Sequence, residues 1–229
     1  MDKRSYLIFA IFLVFLFSIP NIMWGQRVID LDKVWGDMRV LGADAADESG
    51  FAVAHGDING DGFMDIIIGA WQASPDLRDS AGETYVIFGS SAPLSTIDLS
   101  TQSADITVCG DDADDMSGCA LASGDVNGDG YDDIIIGAPY ADPGDPPRSD
   151  AGETYVIFGS SAPLSTIDLS TQSADITVCG DDADDYSGYA VASGDVNGDG
   201  YNDIIIGAFC ADPGDPARTI AGETYVIFG

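Results

Sequence analysis

Three nine-residue segments place carboxylate and amide side chains at a fixed spacing. They read DINGDGFMD at 57–65, DVNGDGYDD at 125–133 and DVNGDGYND at 195–203. In such a loop the oxygens of positions 1, 3, 5 and 9, with the backbone carbonyl of position 7, can converge on one point. Ca²⁺ prefers about six to eight hard oxygen ligands in a tight and flexible loop. The sequence therefore predicts three Ca²⁺ sites.

Each predicted site takes three Asp side chains, one Asn side chain and one carbonyl. The ligands are Asp57, Asn59, Asp61, the Phe63 carbonyl and Asp65 in the first site; Asp125, Asn127, Asp129, the Tyr131 carbonyl and Asp133 in the second; and Asp195, Asn197, Asp199, the Tyr201 carbonyl and Asp203 in the third. Position 6 is Gly in every copy, where the sharp turn needs a positive φ. A set made only of oxygens excludes a zinc site built on thiolate or imidazole.

An EF-hand loop begins in the same way, so position 12 distinguishes the two. The EF-hand needs a bidentate Glu there, and helices on both sides. In this chain position 12 is Ile68, Ile136 and Ile206. The helix–loop–helix interpretation therefore fails. A solvated turn is the other explanation for Asp, Asn and Gly clusters, and three copies with the full ligand spacing argue against it.

The loops belong to a long internal repeat. Residues 81–115 recur letter for letter at 151–185, and AGETYVIFG returns at 221–229. The three units are 28–95, 96–165 and 166–229, the first of them more diverged. Repetition on this scale is typical of modular architectures such as propellers and solenoids.

Each unit contains four short runs with the character of β-strands. In the second unit they are ADITVCG, GCALASGD, DIIIGA and ETYVIFG, bounded by Gly, Asp, Pro or Ser. No segment has sustained helical spacing. The pattern predicts an all-β fold of β-propeller blades with four antiparallel strands, a β-solenoid being the alternative. The first strand of each unit, starting from IDL, is expected to close the sheet of the previous blade.

Three blades are too few for a closed ring, since propellers have about four to eight. We therefore expect an incomplete propeller, which is either a fragment of a longer array or completed by association. Exposed apolar faces and sheet edges would otherwise remain at both ends.

The N-terminal residues 1–25 are predicted to be a secretory signal peptide. Lys3 and Arg4 precede an apolar run from residue 6 to residue 19, which is shorter than the roughly 20 residues of a membrane span. Export and cleavage after Gly25 follow, with a retained membrane anchor as the alternative. The net charge of −31 argues against binding to nucleic acid or anionic membranes.

A unit such as SGYAVASGDVNGDGYNDIIIGA followed by AGETYVIFG resembles the FG-GAP repeat. That repeat is the blade unit of the integrin α-chain N-terminal propeller and of its bacterial relatives. The resemblance covers about residues 28–229 and implies Ca²⁺ loops between the first two strands of each blade, with a role in adhesion or ligand binding. The FG element is reversed here, as in Gly50-Phe51, and GAP is complete only at 137–139. The verbatim duplication favours a bacterial secreted protein over a true integrin.

Other candidate residues point less clearly to chemistry. The acidic runs 110–115 and 180–185 (GDDADD) are interpreted as solvated loop acids, a second cation site being the alternative. The four cysteines align with Leu, Phe, Tyr or Gln in other copies, which favours buried thiols and leaves the pairing open: they are Cys109, Cys119, Cys179 and Cys210. His55 is the only histidine, and its equivalents are Ser123 and Ser193.

No catalytic motif is present, because the sequence lacks a G-x-S-x-G elbow, a phosphate-binding loop with Lys and a Cys/His pair. The main hypothesis is a secreted, non-enzymatic, Ca²⁺-stabilised module that binds an extracellular protein or glycan. The alternatives are the accessory propeller of a secreted hydrolase and a structural surface array. A membrane contact is expected only if the N-terminal segment is retained.

Overall fold

The computed structural model describes residues 38–92, 96–214 and 216–229, so the predicted signal peptide at 1–25 lies outside the described part. From residue 38 onward the described residues form one compact unit that consists of strands, turns and a single 3-10 turn at Pro75–Leu77. None of its helices is long and apolar enough to cross a membrane.

Fourteen strands follow one another along the described residues. In chain order they are β1 (Arg39–Leu41), β2 (Ala52–Gly56), β3 (Asp65–Ala70), β4 (Glu83–Ile87), β5 (Thr96–Asp98), β6 (Ile106–Cys109), β7 (Ala120–Gly124), β8 (Asp133–Ala138), β9 (Glu153–Ile157), β10 (Thr166–Asp168), β11 (Ile176–Cys179), β12 (Ser187–Gly194), β13 (Asp203–Ala208) and β14 (Glu223–Ile227). The all-β prediction is confirmed for these residues.

The strands form three blades. Blade 1 has the order β6-β4-β3-β2 and blade 2 the order β11-β9-β8-β7, each with antiparallel neighbours, whereas blade 3 contains β12, β13 and β14. In the first two blades the outer strand comes from the next sequence unit, as Ile106 opposite Val86 illustrates. The predicted four-stranded blade and its staggered closure are therefore confirmed for blades 1 and 2.

Two further strands were not predicted as separate elements. β5 pairs in parallel with β1, and β10 pairs in parallel with β6. The sequence suggested one strand running from IDL to ITV, and that interpretation was wrong. The chain turns between them because the Asp98 carboxylate accepts the N–H of Ser100 and the Asp98 carbonyl accepts the N–H of Thr101. A short side-chain turn of this kind interrupts the strand.

The core lies on both faces of the central strands. In β8 every residue is buried, and Ile134, Ile135 and Ile136 have no exposed surface. A continuous run of β-branched residues is expected for a strand covered on two sides. One face of each blade packs against the next blade, so that Ile58 of blade 1 lies in the same cluster as Ile134 of blade 2.

Adjacent blades approach closely at a glycine in the central strands of blades 1 and 2. A Cβ on Gly69 would lie 2.1 Å from the carbonyl oxygen of Gly118, and one on Gly137 would lie 2.0 Å from that of Gly188. No side chain fits there. The Gly of DIIIGA therefore fixes the distance between adjacent blades.

Candidate metal centre

The three Asp-rich loops connect the first two strands of their blades. Loop 57–65 joins β2 to β3, loop 125–133 joins β7 to β8, and loop 195–203 joins β12 to β13. The glycine at position 6 of each loop has a positive φ: 88° at Gly62, 91° at Gly130 and 98° at Gly200. Each loop is thus a tight hairpin in which Gly permits the turn.

The carboxylate at position 1 organises the loop by accepting backbone N–H groups. Asp57 accepts the N–H of Asp61 at 3.0 Å and that of Gly62 at 2.9 Å on its two oxygens. Asp125 and Asp195 accept the equivalent bonds in the other loops, and each also accepts the N–H of the Gly at position 4. Position 1 therefore lies inside the curve of the loop, close to positions 5 and 6.

The side-chain oxygens at positions 3 and 5 also accept backbone N–H groups of their own loop. Asn127 Oδ1 accepts the N–H of Asp129 at 2.9 Å, and Asp129 Oδ1 accepts the N–H of Tyr131 at 3.0 Å. The Asn127 amide also donates to Asp129 Oδ2 at 3.0 Å. The same backbone bonds recur in the other two loops. Three oxygen-bearing side chains are thus held together on one loop.

The carboxylate at position 9 starts the central strand and is fully buried. Asp65, Asp133 and Asp203 have no exposed surface. Asp133 Oδ2 accepts the N–H of Val126 at 2.9 Å, and its Oδ1 accepts the N–H of Gly159 at 2.9 Å. This residue therefore joins the start of the loop to the end of β9, and it holds the hairpin against its own blade.

Burial and charge both act on this carboxyl. Burial raises the pKa of Asp133 to about 6, backbone N–H donors lower it in part, and the negative charge of Asp129 raises it further. Burial likewise raises the pKa of Asp65, where Asp61 supplies the like charge. When two neighbouring carboxyl groups disfavour each other's ionised form, a cation bound beside them stabilises both ionised forms.

In the part of the chain that the structure describes, no three or more His, Cys, Asp or Glu side chains are arranged to hold a metal ion. The carboxylates face the N–H groups of their own loop instead. An ionised carboxylate oxygen that accepts one hydrogen bond keeps a second lone pair. The donor atoms of each loop therefore suit Ca²⁺ in their chemistry, whereas their arrangement in this structure is that of carboxylates bonded to their own loop.

Sequence reasoning missed the contacts between neighbouring loops. The Asp132 carboxylate accepts the N–H of Asp57 at 2.8 Å. A Cβ on Gly60 would lie 2.3 Å from Cε1 of Tyr131, and one on Gly128 would lie 1.9 Å from Cε1 of Tyr201. Position 7 thus contributes an aromatic ring to the preceding loop. The sequence carries one signal for these contacts, at position 8 of the loop. This position is polar (Asp132 or Asn202) in the two blades that follow another blade, whereas it is Met64 in the first blade.

The acidic run 110–115 is only partly a solvated loop. Asp112 and Asp114 are exposed, as expected, but the prediction was wrong for Asp115, which is 7% exposed. Its carboxylate accepts the N–H of Asp112 at 3.2 Å. Burial raises the pKa of Asp115 to about 7, the Asp112 N–H lowers it in part, and the charges of Asp112 and Glu153 raise it.

The four cysteines are unpaired, and all four lie in the described part of the chain. Cys109 is buried, and its thiol lies 3.7 Å from a Glu83 carboxylate oxygen. Burial, and then the charge of Glu83, raise the pKa of this thiol to about 12. Cys179, at the equivalent position, is exposed. The interpretation as a buried thiol therefore holds at Cys109 and not at Cys179.

Comparisons with known proteins agree with this architecture. The FG-GAP repeat matches residues 49–87, 118–157 and 187–227, and each match begins at or just before the first strand of a blade hairpin and ends at the last residue of β4, β9 or β14. The phosphatidylinositol-glycan-specific phospholipase D of Bos taurus is 33% identical over 178 residues, which is 77% of this chain and 20% of the relative. Integrin alpha pat-2 of Caenorhabditis briggsae is 35% identical over 224 residues, or 92% of this chain and 15% of the relative.

Integrin alpha-6 of Gallus gallus is 30% identical over 185 residues, which cover 80% of this chain. This chain spans a fifth or less of the length of these relatives. Relatives of both groups align with most of this chain, and the family matches fall in the three blades. The chain therefore belongs to the FG-GAP repeat family.

Proposed function

We propose that this chain is a secreted, non-catalytic propeller module that binds an extracellular protein or glycan, with Ca²⁺ stabilising the hairpin of each blade. The observation that carries the proposal is the recurrence of one loop geometry in all three blades. The shared bonds from the N–H groups of positions 5, 6 and 7, and a fully buried carboxylate at position 9, recur in each loop. A catalytic pair would be expected in one copy, not in all of them.

Charge supports Ca²⁺ as the ligand of the loops. Loops 57–65 and 195–203 each hold three Asp side chains within nine residues and loop 125–133 holds four, and the chain as a whole carries a net charge of −31. A divalent cation offsets most of the charge of one loop and lowers the repulsion between Asp129 and Asp133. Export would place the chain where Ca²⁺ is abundant, and this part of the proposal depends on the N-terminal segment 1–25.

The binding role is supported by similarity to integrin α chains. The hydrolase alternative is supported by similarity to phosphatidylinositol-glycan-specific phospholipase D, of which this chain covers the repeat portion. In that case the chain would serve as an accessory propeller, and the catalytic residues would lie in a separate domain. Hydrolysis of a glycosylphosphatidylinositol substrate by the 229-residue chain itself would contradict the non-catalytic proposal.

Calorimetric titration of the metal-free chain with Ca²⁺ tests the metal part of the proposal. We expect three sites per chain, and the Asp129→Asn variant should lose one site and keep the other two. Asp114→Asn is the matched control, because Asp114 is an exposed acid outside the metal loops. The assignment of Ca²⁺ to the three loops would be contradicted if the wild-type chain takes up no Ca²⁺. It would also be contradicted if the Asp129→Asn variant binds as many ions as the wild type.

The ligand class needs a separate assay. The immobilised chain, loaded with Ca²⁺, would be probed with extracellular matrix proteins and with a glycan array, and then again after chelation. We expect saturable binding to one class that is lost with the metal. Saturable binding that survives chelation would separate the recognition surface from the metal loops, whereas no binding to either class would count against the adhesion role.

A further inference from the structure

The two ends of the described blade array leave complementary surfaces uncovered. Blade 3 has no fourth strand among the described residues, so that one edge of β14 carries no neighbouring strand. Val226 of β14 is 43% exposed, whereas the equivalent Val86 and Val156 have no exposed surface, because each packs in a cluster with the central strand of the following blade. Within the described residues, blade 3 therefore has no outer strand of the kind that completes blades 1 and 2.

The strand β1 is the opposite case, an outer strand without a described blade. It aligns with β6 and β11 in the repeat, since Leu41 is equivalent to Cys109 and Cys179. It also pairs with β5 in the register by which β6 pairs with β10: Val40 lies opposite Ile97, as Val108 lies opposite Ile167. Among the described strands β1 has no other neighbour. One end of the described array therefore carries an outer strand without a blade (β1), and the other end carries a blade without an outer strand (blade 3).

The flat faces of the terminal blades are complementary as well. On the side of blade 3 that would meet a following blade, Val196 is 58% exposed, whereas its equivalents Ile58 and Val126 are 1% and 4% exposed beneath the next blade. A Cβ on Gly207 would meet nothing closer than 3.6 Å, in contrast to the contacts at Gly69 and Gly137. Blade 3 thus presents the docking face that blades 1 and 2 already use.

Blade 1 presents the matching face. Val53 on β2 is 67% exposed, whereas the equivalent Leu121 and Val191 are half-buried. The side chain of Leu121 lies beside Gly69 of the preceding blade, 3.4 Å from where a Cβ would stand. Val53 would occupy the same place beside Gly207 of a preceding blade. The contact between adjacent blades therefore forms twice inside the chain. Its two faces are present a third time, one exposed on blade 3 and the other exposed on blade 1.

We propose that two copies of this chain associate head to tail, so that blade 1 of each packs on blade 3 of the other. In each contact β1 of one copy pairs antiparallel with β14 of the other, with Val40 opposite Thr224, as Val108 lies opposite Thr84 within the chain. Two such contacts join six blades, and propellers close with about four to eight. A contact that closes on itself gives a defined dimer and not a filament.

Electrostatics sets the conditions for this association. Each chain carries a net charge of −31, and like charges oppose the approach of two copies, most strongly at low salt. The experiment is therefore done in millimolar Ca²⁺ and moderate salt, with the full chain produced in a secreting host. Multi-angle light scattering after size-exclusion chromatography reports the mass directly, against 23.8 kDa for one full chain or the mass of the processed chain, measured by mass spectrometry, where residues 1–25 have been removed.

Two variants test the two halves of the surface separately. The Gly207→Ala variant should fold normally, because no atom lies closer than 3.6 Å to the new methyl group. In the dimer the methyl group would hold the two copies apart, just as a Cβ on Gly137 would hold blades 2 and 3 apart. Val53→Asp places a charge on the face of blade 1. Leu77→Asp is the control, because Leu77 is 94% exposed and lies on neither face.

We expect the wild-type chain and the Leu77→Asp variant to have the mass of two chains, and the other two variants to have the mass of one. An equal mixture of Gly207→Ala and Val53→Asp should regain two-chain particles at higher protein concentration, because one undamaged contact can form between them. A wild-type chain with the mass of one chain, open-ended polymers, variants as dimeric as the control, or a mixture that stays at the mass of one chain would each overturn the proposal. The first of these results would leave further blades of a longer polypeptide as the covering surface.

Discussion

Replacing Asp115 by Asn isolates the effect of one buried carboxyl on the stability of the blades. Asp115 is 7% exposed, and its pKa rises from an ordinary value of 3.8 to about 7, because burial and the charges of Asp112 and Glu153 outweigh the N–H bond that it accepts. The unfolded chain has no such environment. The folded chain therefore holds a proton at Asp115 in a pH range where the unfolded chain has lost it.

The sign of the effect follows from this difference. Between about pH 4 and pH 7 the folded state binds more protons than the unfolded state, so the free energy of unfolding falls as the pH rises. Each pH unit in that window costs about 1.4 kcal/mol, which accumulates to a loss on the order of 4 kcal/mol at neutral pH. Asn has nearly the same shape, can accept the N–H of Asp112 and never ionises.

Urea denaturation of the wild-type chain and of Asp115→Asn, at one-unit steps from pH 4 to pH 8, measures the difference. We expect the two proteins to be equally stable near pH 4, and the variant to be more stable by a few kcal/mol above pH 7. Asp114→Asn makes the same chemical change at an exposed position of the same loop and should remain within about 0.5 kcal/mol of the wild type. A stability difference that does not change with pH would refute the reasoning.

Three further substitutions test how the blades are joined. Gly137→Ala would place a Cβ 2.0 Å from the Gly188 carbonyl oxygen, and we expect its free energy of unfolding in urea to fall by about 3 kcal/mol; a neutral effect would contradict the close approach. Asp132→Ala removes the acceptor of the Asp57 N–H, so thermal unfolding should show a loss of about 1 kcal/mol, and an unchanged midpoint would argue against coupled loops. Arg78→Ala breaks the half-buried 2.8 Å ion pair with Asp168 and the hydrogen bond to Ser170 and should cost about 1 to 3 kcal/mol in the same urea assay, an unchanged stability being evidence that the pair does not help to join the strands.

The repeat made much of the fold predictable. Once the copies were aligned, the run DIIIGA could be placed as a buried central strand from its continuous β-branched side chains, and ITVC as the strand that closes the previous blade. The central position of DIIIGA is confirmed by the pairing of β3 with β2 and with β4, and the position of ITVC by the pairing of β6 with β4. The hairpin position of the metal loops follows from the same alignment, because each loop lies between two strand-like runs.

Contacts between repeat units could not be predicted from the sequence pattern of a single unit. The parallel strands β5 and β10 were missed because three residues of TID give little strand signal, and their neighbours β1 and β6 are distant in sequence. The buried carboxyl of Asp115 was missed because an acid in a run of acids predicts a solvated loop, whereas in the fold Asp115 is 7% exposed and accepts the N–H of Asp112. The ring of Tyr131 was missed for a related reason, since only its carbonyl had a role in a single loop.

The account rests on Ca²⁺ in the three blade hairpins, and thermal unfolding with and without the metal tests this most directly. If each site binds Ca²⁺ with a dissociation constant of about 10⁻⁴ to 10⁻³ M, three sites near millimolar Ca²⁺ contribute about 1 to 4 kcal/mol. For a domain of this size that raises the melting temperature by about 2 to 16 °C. We predict that a chelator lowers the melting temperature by such an amount and that Ca²⁺, but not Mg²⁺ at equal concentration, restores it. A melting temperature that is the same in chelator and in Ca²⁺ would contradict the claim.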